Sequence, residues 1–268
     1  MKINTVTLAY YSPTKTTRTI LQGIAEGLKA DSVQDMDLTL PEAKTKPLDS
    51  KLEDLVILGV PVYEGRVAKT AIPRLQQLKA DKTPAVVVVL YGNRDFEDAL
   101  LELGDLAADQ GFIPIAGGAF IGEHSFATDT RPMANGRPDA PDLAKAREFG
   151  ANIRTKLDKL ASMDDVTKVD LPGNTPYIFR DRSPLADRAA TTIVETCTLC
   201  GTCAALCPVG AITIEDTVLT DNMDCTLCCA CVKGCPTDSR VVDDPTVNKI
   251  ANWVSKNFQA RREPETFL

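Results

Sequence analysis

Eight of the nine cysteines in this 268-residue chain form one repeated pattern near the C-terminus. The spacing C-x2-C-x2-C-x3-C, followed by proline, occurs twice, and Cys225 opens the second copy 28 positions after Cys197 opens the first. A cubane iron–sulfur cluster needs four thiolates, which a closely spaced triplet and a remote Cys-Pro supply. The pattern therefore predicts two [4Fe–4S] clusters, with the ligands Cys197, Cys200, Cys203, Cys207, Cys225, Cys228, Cys231 and Cys235.

Two other uses of the cysteines fit the spacing less well. A structural zinc ion takes four ligands, usually as two separated C-x2-C pairs rather than as triplets. A disulfide framework is typical of secreted proteins, whereas this sequence starts without a signal-peptide pattern, so we expect a cytoplasmic chain. The ninth cysteine, Cys229, matches no ligand position, and we expect it to be a small buried side chain beside a cluster; a redox or ligand-exchange role is the alternative.

The cysteine segment resembles the two-[4Fe–4S] ferredoxins of bacteria and archaea. In that pattern the fourth ligand of each cluster comes from the other half of the duplication. The resemblance therefore implies that Cys207 completes the set Cys225, Cys228 and Cys231, and that Cys235 completes the set that opens at Cys197. It also implies a small α+β ferredoxin domain, which we assign to residues 191–245.

The cysteine segment is also the acidic part of the chain. The net charge is −7, and residues 191–245 hold eight acidic residues against Lys233 and Arg240. An acidic surface repels a phosphate backbone, so we expect no nucleic acid partner. The longest apolar run, residues 85–91, is too short to cross a bilayer, so we expect no membrane partner. A redox protein that donates or accepts electrons is the expected partner.

The first 160 residues alternate between strand and helix patterns. Helical periodicity predicts helices over residues 17–30, 71–78, 95–110 and 141–160. Apolar runs, two of them nearly continuous as in strands buried on both faces, predict strands over residues 3–10, 33–38, 54–60, 84–91 and 112–121. The alternation predicts an α/β fold, a doubly wound five-stranded parallel sheet with helices on both faces.

Three loops lie at the predicted carboxyl ends of the strands, where a doubly wound sheet binds its ligand. The first is rich in hydroxyl groups and leads directly into a helix, as a phosphate-binding loop does. The other two follow the third and fourth strands and offer aromatic and glycine residues to a flat ring. The candidate binding residues are Ser12, Thr14, Lys15, Thr16, Thr17, Pro61, Val62, Tyr63, Gly65, Tyr91, Gly92, Asn93, Arg94 and Phe96.

Together these loops resemble those of the flavodoxin family, which binds FMN at this edge of the sheet. The match rests on an S-x-T-x-x-T loop formed by Ser12, Thr14 and Thr17, and it covers roughly residues 3–160. Lys15 departs from the pattern, because the family often has glycine there; its side chain would add charge to the phosphate site or crowd a turn that favours positive φ. No G-x-G-x-x-G follows the first strand, so a Rossmann-type nicotinamide site is not predicted.

Three further segments complete the predicted organisation. His124, the only histidine, follows the fifth strand, and we assign it a catalytic or flavin-contacting role, with surface packing as the alternative. Residues 161–190 show neither helix nor strand periodicity, and we predict that they form a linker. Residues 246–268 are predicted to form a C-terminal helix that packs back on the protein; a partner-binding helix is the alternative.

The order of the predicted parts is similar to that of the flavodoxin–ferredoxin fusion proteins of anaerobes. That resemblance implies an electron-transfer protein in which clusters handle single electrons and FMN exchanges one or two. Three functions stay open: an FMN-dependent reductase of a small-molecule acceptor, a pure electron carrier or partner-dedicated subunit, and an N-terminal interaction module without FMN.

Overall fold

The computed structural model describes residues 3–44, 55–162, 165–180 and 185–268. Asp54, the predicted start of the third strand, and residues 163–164 and 181–184 of the predicted linker lie outside these ranges. Within them, no helix is both long and apolar enough to span a membrane.

The centre of the molecule is a mostly parallel sheet. Its strands are β1 (Thr5–Tyr10), β2 (Ser32–Asp37), β3 (Leu55–Tyr63), β4 (Arg66–Val67), β5 (Thr83–Tyr91) and β6 (Phe112–Ile121). The parallel strands run in the order β2-β1-β3-β5-β6, and β4 folds back on the end of β3. This is the flavodoxin-like order, with a switch point between β1 and β3. The predicted α/β class is confirmed.

Helices cover both faces of the sheet and bury its apolar side chains. On one face lie α1 (Thr16–Leu28) and α4 (Ala140–Asp158). Gly27 and Gly150 allow these two helices to touch, since an added Cβ at either glycine would come within 2.0 Å of a backbone oxygen of the other helix. On the other face lie α2 (Ile72–Leu75) and α3 (Ala99–Asp109).

Two of these helices are shorter than their periodicity predicts. After α2 the chain continues in tight turns, in which the amide N–H groups of Gln77 and Leu78 bond to the carbonyl three residues back. Before α3 the loop after β5 turns twice through left-handed residues, Asn93 and Glu97. The apolar residues that predicted these two helices therefore continue beyond the hydrogen-bonded turns, at the C-terminal end of α2 and the N-terminal end of α3.

Part of the predicted linker packs against the sheet domain and is hydrogen-bonded to it. The amide N–H of Val169 donates to the Pro114 carbonyl at 2.8 Å. Further along, the buried carboxylate of Asp98 accepts hydrogen bonds from the amides of Asn174 and Ile178 at 2.8 and 2.6 Å. Residues 165–180 are thereby fixed across α3 and the end of the sheet.

The cysteine domain is small and built as two similar halves. Its helices are α5 (Thr202–Ala205) and α6 (Ala230–Lys233). Its strands form two antiparallel pairs, β7 (Thr191–Thr192) with β10 (Arg240–Val241), and β8 (Ile212–Ile214) with β9 (Val218–Thr220). Cys203, Cys207 and Cys231 belong to the buried core of this domain.

The C-terminal stretch differs from the single predicted helix. Helix α7 (Pro245–Asn257) starts at the N-cap Asp244 and packs through Ala251 and Val254, so it packs back on the protein as predicted. The chain then leaves the helix and forms β11 (Glu265–Phe267), which is antiparallel to β6. The sheet thus gains an edge strand that the predicted five lacked. Trp253 lies off the buried stripe of α7 and is 55% exposed.

Candidate redox sites

The eight predicted ligands surround two separate cavities. Site 1 is defined by Cys197, Cys200, Cys203 and Cys235, which line one cavity. Site 2 is defined by Cys207, Cys225, Cys228 and Cys231, which line the other. Each copy of the motif thus contributes its last cysteine to the opposite site, as cross-ligation requires. Among the described residues, no three His, Cys, Asp or Glu side chains are arranged to hold a single metal ion.

Both motifs curl around their cavities through left-handed residues at matching positions. Leu199 and Gly201 have positive φ in the first copy, and Leu227 and Cys229 have it in the second. A residue with a Cβ is less favourable than glycine in this conformation. Cys229 therefore occupies, at some backbone cost, a position that the first copy gives to glycine.

Cys229 lines site 2, and its thiol is buried, as predicted from the sequence. Its Sγ–H donates to the Leu227 carbonyl at 3.5 Å. Burial, followed by the negative charges of neighbouring thiolates, raises the pKa of Cys229 well above its ordinary value. Cys229 is therefore a protonated thiol near neutral pH, a poor nucleophile and a poor metal ligand in that form.

The two sites differ in their exposure to water. At site 1, Cys200 is exposed, and a hydrogen bond with the Thr202 hydroxyl lowers the pKa of this thiol. At site 2, burial raises the pKa of Cys228 to about 12. Site 1 therefore faces solvent, whereas site 2 lies in the dry interior.

A cleft lies between the carboxyl end of the sheet and the cysteine domain. Residues from all three predicted loops line it, namely Thr14, Thr16, Pro61, Val62, Tyr63, Gly65, Tyr91, Gly92 and Arg94, together with His124. On the opposite side it is lined by Leu185, Thr226, Leu227, Ile250 and Val254. Thr226 and Leu227 lie between two ligands of site 2, so site 2 borders the cleft directly.

The hydroxyl-rich loop forms a tight turn at the start of α1. Lys15 adopts the left-handed conformation (φ 67°), as the glycine preference of this position implies. Within the described residues, the N-cap residue Lys15 makes no side-chain cap bond, and the first turn of α1 has no acidic residue. The Oγ1 atoms of Thr14 and Thr16 lie 3.4 Å apart at the edge of the cleft. A helix start with two hydroxyl groups at the cleft and no acidic residue in its first turn suits a phosphate group.

Five predicted binding residues do not line the cleft. Lys15 lies outside it, the Ser12 hydroxyl accepts from the Arg18 amide at 3.2 Å, and the Thr17 methyl group packs near Gly59. The other two, Asn93 and Phe96, turn away because the loop reverses at Asn93, whose φ is 66°. Asn93 instead bonds to the carbonyls of Phe258 and Ala260, and Phe96 packs on Tyr91 with ring centroids 5.6 Å apart.

His124 lies at the cleft beside the backbone of Gly92. An added Cβ on Gly92 would lie 2.4 Å from the imidazole Cδ2, so only glycine leaves room for the ring. The Nδ1 atom accepts from the Phe126 amide at 3.1 Å, which leaves Nε2 as the protonated nitrogen. Burial, assisted by Arg94, Lys233 and Arg131, lowers the pKa of His124 to about 4. The ring is therefore a neutral hydrogen-bond donor at pH 7.

The cysteine domain also matches a known sequence family. A family described as a 4Fe-4S binding domain matches residues 190–213, which hold the first copy of the motif. The chain joins a flavodoxin-like sheet to a ferredoxin-type iron–sulfur domain. Its class of function is accordingly iron–sulfur electron transfer.

Solved structures resemble the flavodoxin-like part at low sequence identity. Flavodoxin 1 from Bacillus cereus is 14% identical, covering 59% of this chain and 99% of that chain with a TM-score of 0.41. Rubredoxin oxygen:oxidoreductase from Desulfovibrio gigas is 17% identical, covering 60% of this chain and 38% of that chain with a TM-score of 0.43. A Fusobacterium nucleatum flavodoxin bound to flavin mononucleotide is 16% identical, covering 57% of this chain and 98% of that chain with a TM-score of 0.37. No curated protein matches the chain.

Two basic side chains join the ferredoxin-type domain to the flavodoxin-like sheet. Lys233 of α6 donates to the Glu123 carboxylate at 2.5 Å and to the Ala127 carbonyl at 2.8 Å. The buried Arg74 donates to the carbonyls of Leu38 and Pro208 at 2.6 and 2.5 Å. Because Pro208 directly follows Cys207 and Lys233 lies two residues after Cys231, both contacts hold site 2 against the sheet domain.

The sequence gives little sign of these two residues. Lys233 is one of only two bases in the acidic segment, and that contrast could have marked it as a docking residue. Arg74 lies in a short helix with no motif around it, and its burial depends on carbonyl groups from distant parts of the chain.

Proposed function

We propose that the chain carries two [4Fe–4S] clusters and one FMN, and that it transfers electrons between an external redox protein and a small acceptor. When bound, the clusters exchange single electrons and FMN exchanges one or two. The observation that carries the proposal is the cleft, in which the three flavodoxin-like loops face Thr226 and Leu227 of site 2. Electrons entering at a cluster would thus reach the ligand of the sheet without leaving the protein.

The thiol sets fit two clusters. Each cavity is bordered by four cysteines of the repeated motif, and the rest of the site 2 lining is mostly apolar, including Ala190, Ile212 and Val242. A cubane bound by four thiolates fills a volume between its ligands, and a dry lining protects it from water. Within that arrangement Cys207 would complete site 2 and Cys235 would complete site 1.

The cleft fits FMN on chemical grounds. Thr14 and Thr16, at the start of α1, would hold the terminal phosphate. Tyr63, Gly92 and His124 also line the cleft, and a flat ring would lie there between backbone and side chains. FAD would require contacts for an adenosine, for which these loops offer no second phosphate-binding turn.

The order of the sites along the electron path follows from their exposure. The lining of site 1 includes the exposed residues Leu199, which is 43% accessible, and Cys200, whereas three of the four cysteines of site 2 are buried. A redox protein would therefore dock at site 1, and site 2 would relay electrons between site 1 and the cleft. The neutral Nε2–H of His124 would donate a hydrogen bond at the cleft and orient a bound group there.

A specific feature favours the second candidate, a carrier without its own substrate. The side chains of Leu227, Ile250 and Val254 close the cleft on the side opposite the sheet. If they also cover the bound ring, no face is left for a small acceptor. Reduction of FMN without turnover of any small quinone, disulfide or nitro compound would favour the carrier.

Titration of the flavin-free protein with FMN, followed by fluorescence quenching, tests the cleft. A hydrogen bond to a charged group contributes roughly 1.5–3 kcal/mol, so the Thr14→Ala, Thr16→Ala double variant is expected to bind FMN at least about tenfold more weakly. Thr155→Ala is the matched control, since its hydroxyl bonds only within the exposed face of α4. Equal affinity in the double variant and the control would contradict the phosphate assignment.

A further inference from the structure

The two copies of the cysteine motif differ sharply at one buried position. Ile212 follows Cys207 by five positions, and Arg240 follows Cys235 by the same five. Both side chains are buried, Ile212 with 7% and Arg240 with 2% of its surface accessible. An apolar core position in one half is therefore a charged residue in the other.

The surroundings of Arg240 do not neutralise its charge. The guanidinium donates to the hydroxyls of Thr192 and Thr220 at 2.5 and 2.7 Å, and to the Ala190 carbonyl at 2.9 Å. Within the described ranges no carboxylate pairs with it, and its Nε has no hydrogen-bond partner. A buried cation without a counter-ion is costly, so an anionic group is expected beside it.

Arg240 lies between the two thiol sets. It lines the cavity of site 1, and its Nη2 atom lies 3.9 Å from the Sγ of Cys231 in site 2. One guanidinium thus lies beside both thiol sets.

We propose that Arg240 is the shared counter-charge of the two clusters and raises the reduction potential of both. The inference rests on the proposed presence of two clusters. Each reduction adds one electron, and so one negative charge, to a cluster and its four thiolates. A fixed positive charge in the interior stabilises that added charge, and it also weakens the repulsion between two reduced clusters. The first copy cannot do this, because Ile212 carries no charge.

Arg240→Gln and Arg240→Lys separate charge from packing. Glutamine keeps hydrogen-bond donors without the charge, whereas lysine keeps the charge. The full chain is purified anaerobically, its iron and sulfide are counted, and both midpoint potentials are measured by dithionite titration with EPR detection. In Arg240→Gln both midpoint potentials are expected to fall by at least about 59 mV, which corresponds to a tenfold change in the one-electron equilibrium constant. In Arg240→Lys the shift is less than half of this.

Arg188→Met is the charge-matched control. It removes one positive charge that lies beside this domain and already pairs with Asp244 at 2.5 Å. Both potentials are therefore expected to change by less than a factor of two in the one-electron equilibrium constant. Equal shifts in the control and Arg240→Gln, a shift at one cluster only, or no shift in fully loaded Arg240→Gln would overturn the inference. If Arg240→Gln does not take up its clusters, Arg240→Lys is titrated in the same way, because this substitution moves the positive charge. A change in both potentials then supports the inference, and a change in only one or in neither overturns it. Wild-type protein with fewer than two clusters would instead refute the proposed function.

Discussion

The exchange of Cys207 and Cys235 between the two sites makes opposite predictions for two similar variants. If Cys207 belongs to site 2, its removal should release Cys225, Cys228 and Cys231 and leave the first triplet bound. Removal of Cys235 should release Cys197, Cys200 and Cys203 instead. If each cluster were instead bound by the four cysteines of one motif copy, both variants would give the reverse result. The two variants together therefore distinguish the two ligation patterns.

The size of the effect follows from the ligand sets. Each substitution leaves three thiols on the damaged cluster, so a mild chelator should remove about four of eight iron atoms while the other cluster survives. The substitutions are made in a Cys229→Ser background, so that the ninth thiol, which lines the same cavity, adds no label of its own. That background alone is expected to keep both clusters, since Cys229 is a buried, protonated thiol.

Differential alkylation reads out the result. After chelation the protein is treated with iodoacetamide, and the labelled cysteines are identified by peptide mass spectrometry. In Cys207→Ala, Cys229→Ser the three labels should fall on residues 225–231. Labels on residues 197–203 in that variant would refute cross-ligation.

Two further predictions concern the edge of the cleft. Asn93→Ala removes both side-chain bonds to the tail carbonyls of Phe258 and Ala260, so we expect a loss of roughly 1–3 kcal/mol in the free energy of unfolding and faster hydrogen exchange in residues 258–267; wild-type exchange there would contradict the assignment of Asn93 to the tail. For His124, burial lowers the pKa from its ordinary value of 6.5 to about 4, so the unfolded chain binds the proton more readily. Stability should therefore fall as the pH drops from about 6.5 to 4, by at most about 1.4 kcal/mol per unit relative to His124→Gln; parallel curves for the two proteins would show that the ring is not held neutral.

The sheet was predictable because its strands carry a local signal. The apolar runs that form β3 and β5 are buried on both faces, and only a central parallel strand needs that pattern. By contrast, β11 is three residues long, and its pairing with residues 117–119 of β6 depends on an open sheet edge rather than on its own sequence. Short edge strands of this kind cannot be read from periodicity.

The grouping of the motif cysteines around two cavities was predictable from residue type and spacing, whereas the buried polar contacts were not. The repeated motif fixes which cysteines can share a cluster, since backbone geometry around a cubane tolerates few spacings. The roles of Arg74, Asn93 and Arg240 depend instead on which distant carbonyls and hydroxyls reach them after folding. For Arg240 the duplication itself held a signal, because its counterpart is Ile212.

The most direct test of the account is the cofactor content of anaerobically purified protein. The chain is purified without oxygen, and its iron, acid-labile sulfide and extracted flavin are counted per polypeptide, with an EPR spectrum after dithionite reduction. The account predicts about eight iron and eight sulfide in two interacting [4Fe–4S] clusters, together with FMN, bound as isolated or taken up on reconstitution. Zinc in place of iron, a single cluster, or no FMN binding at tens of micromolar would contradict it.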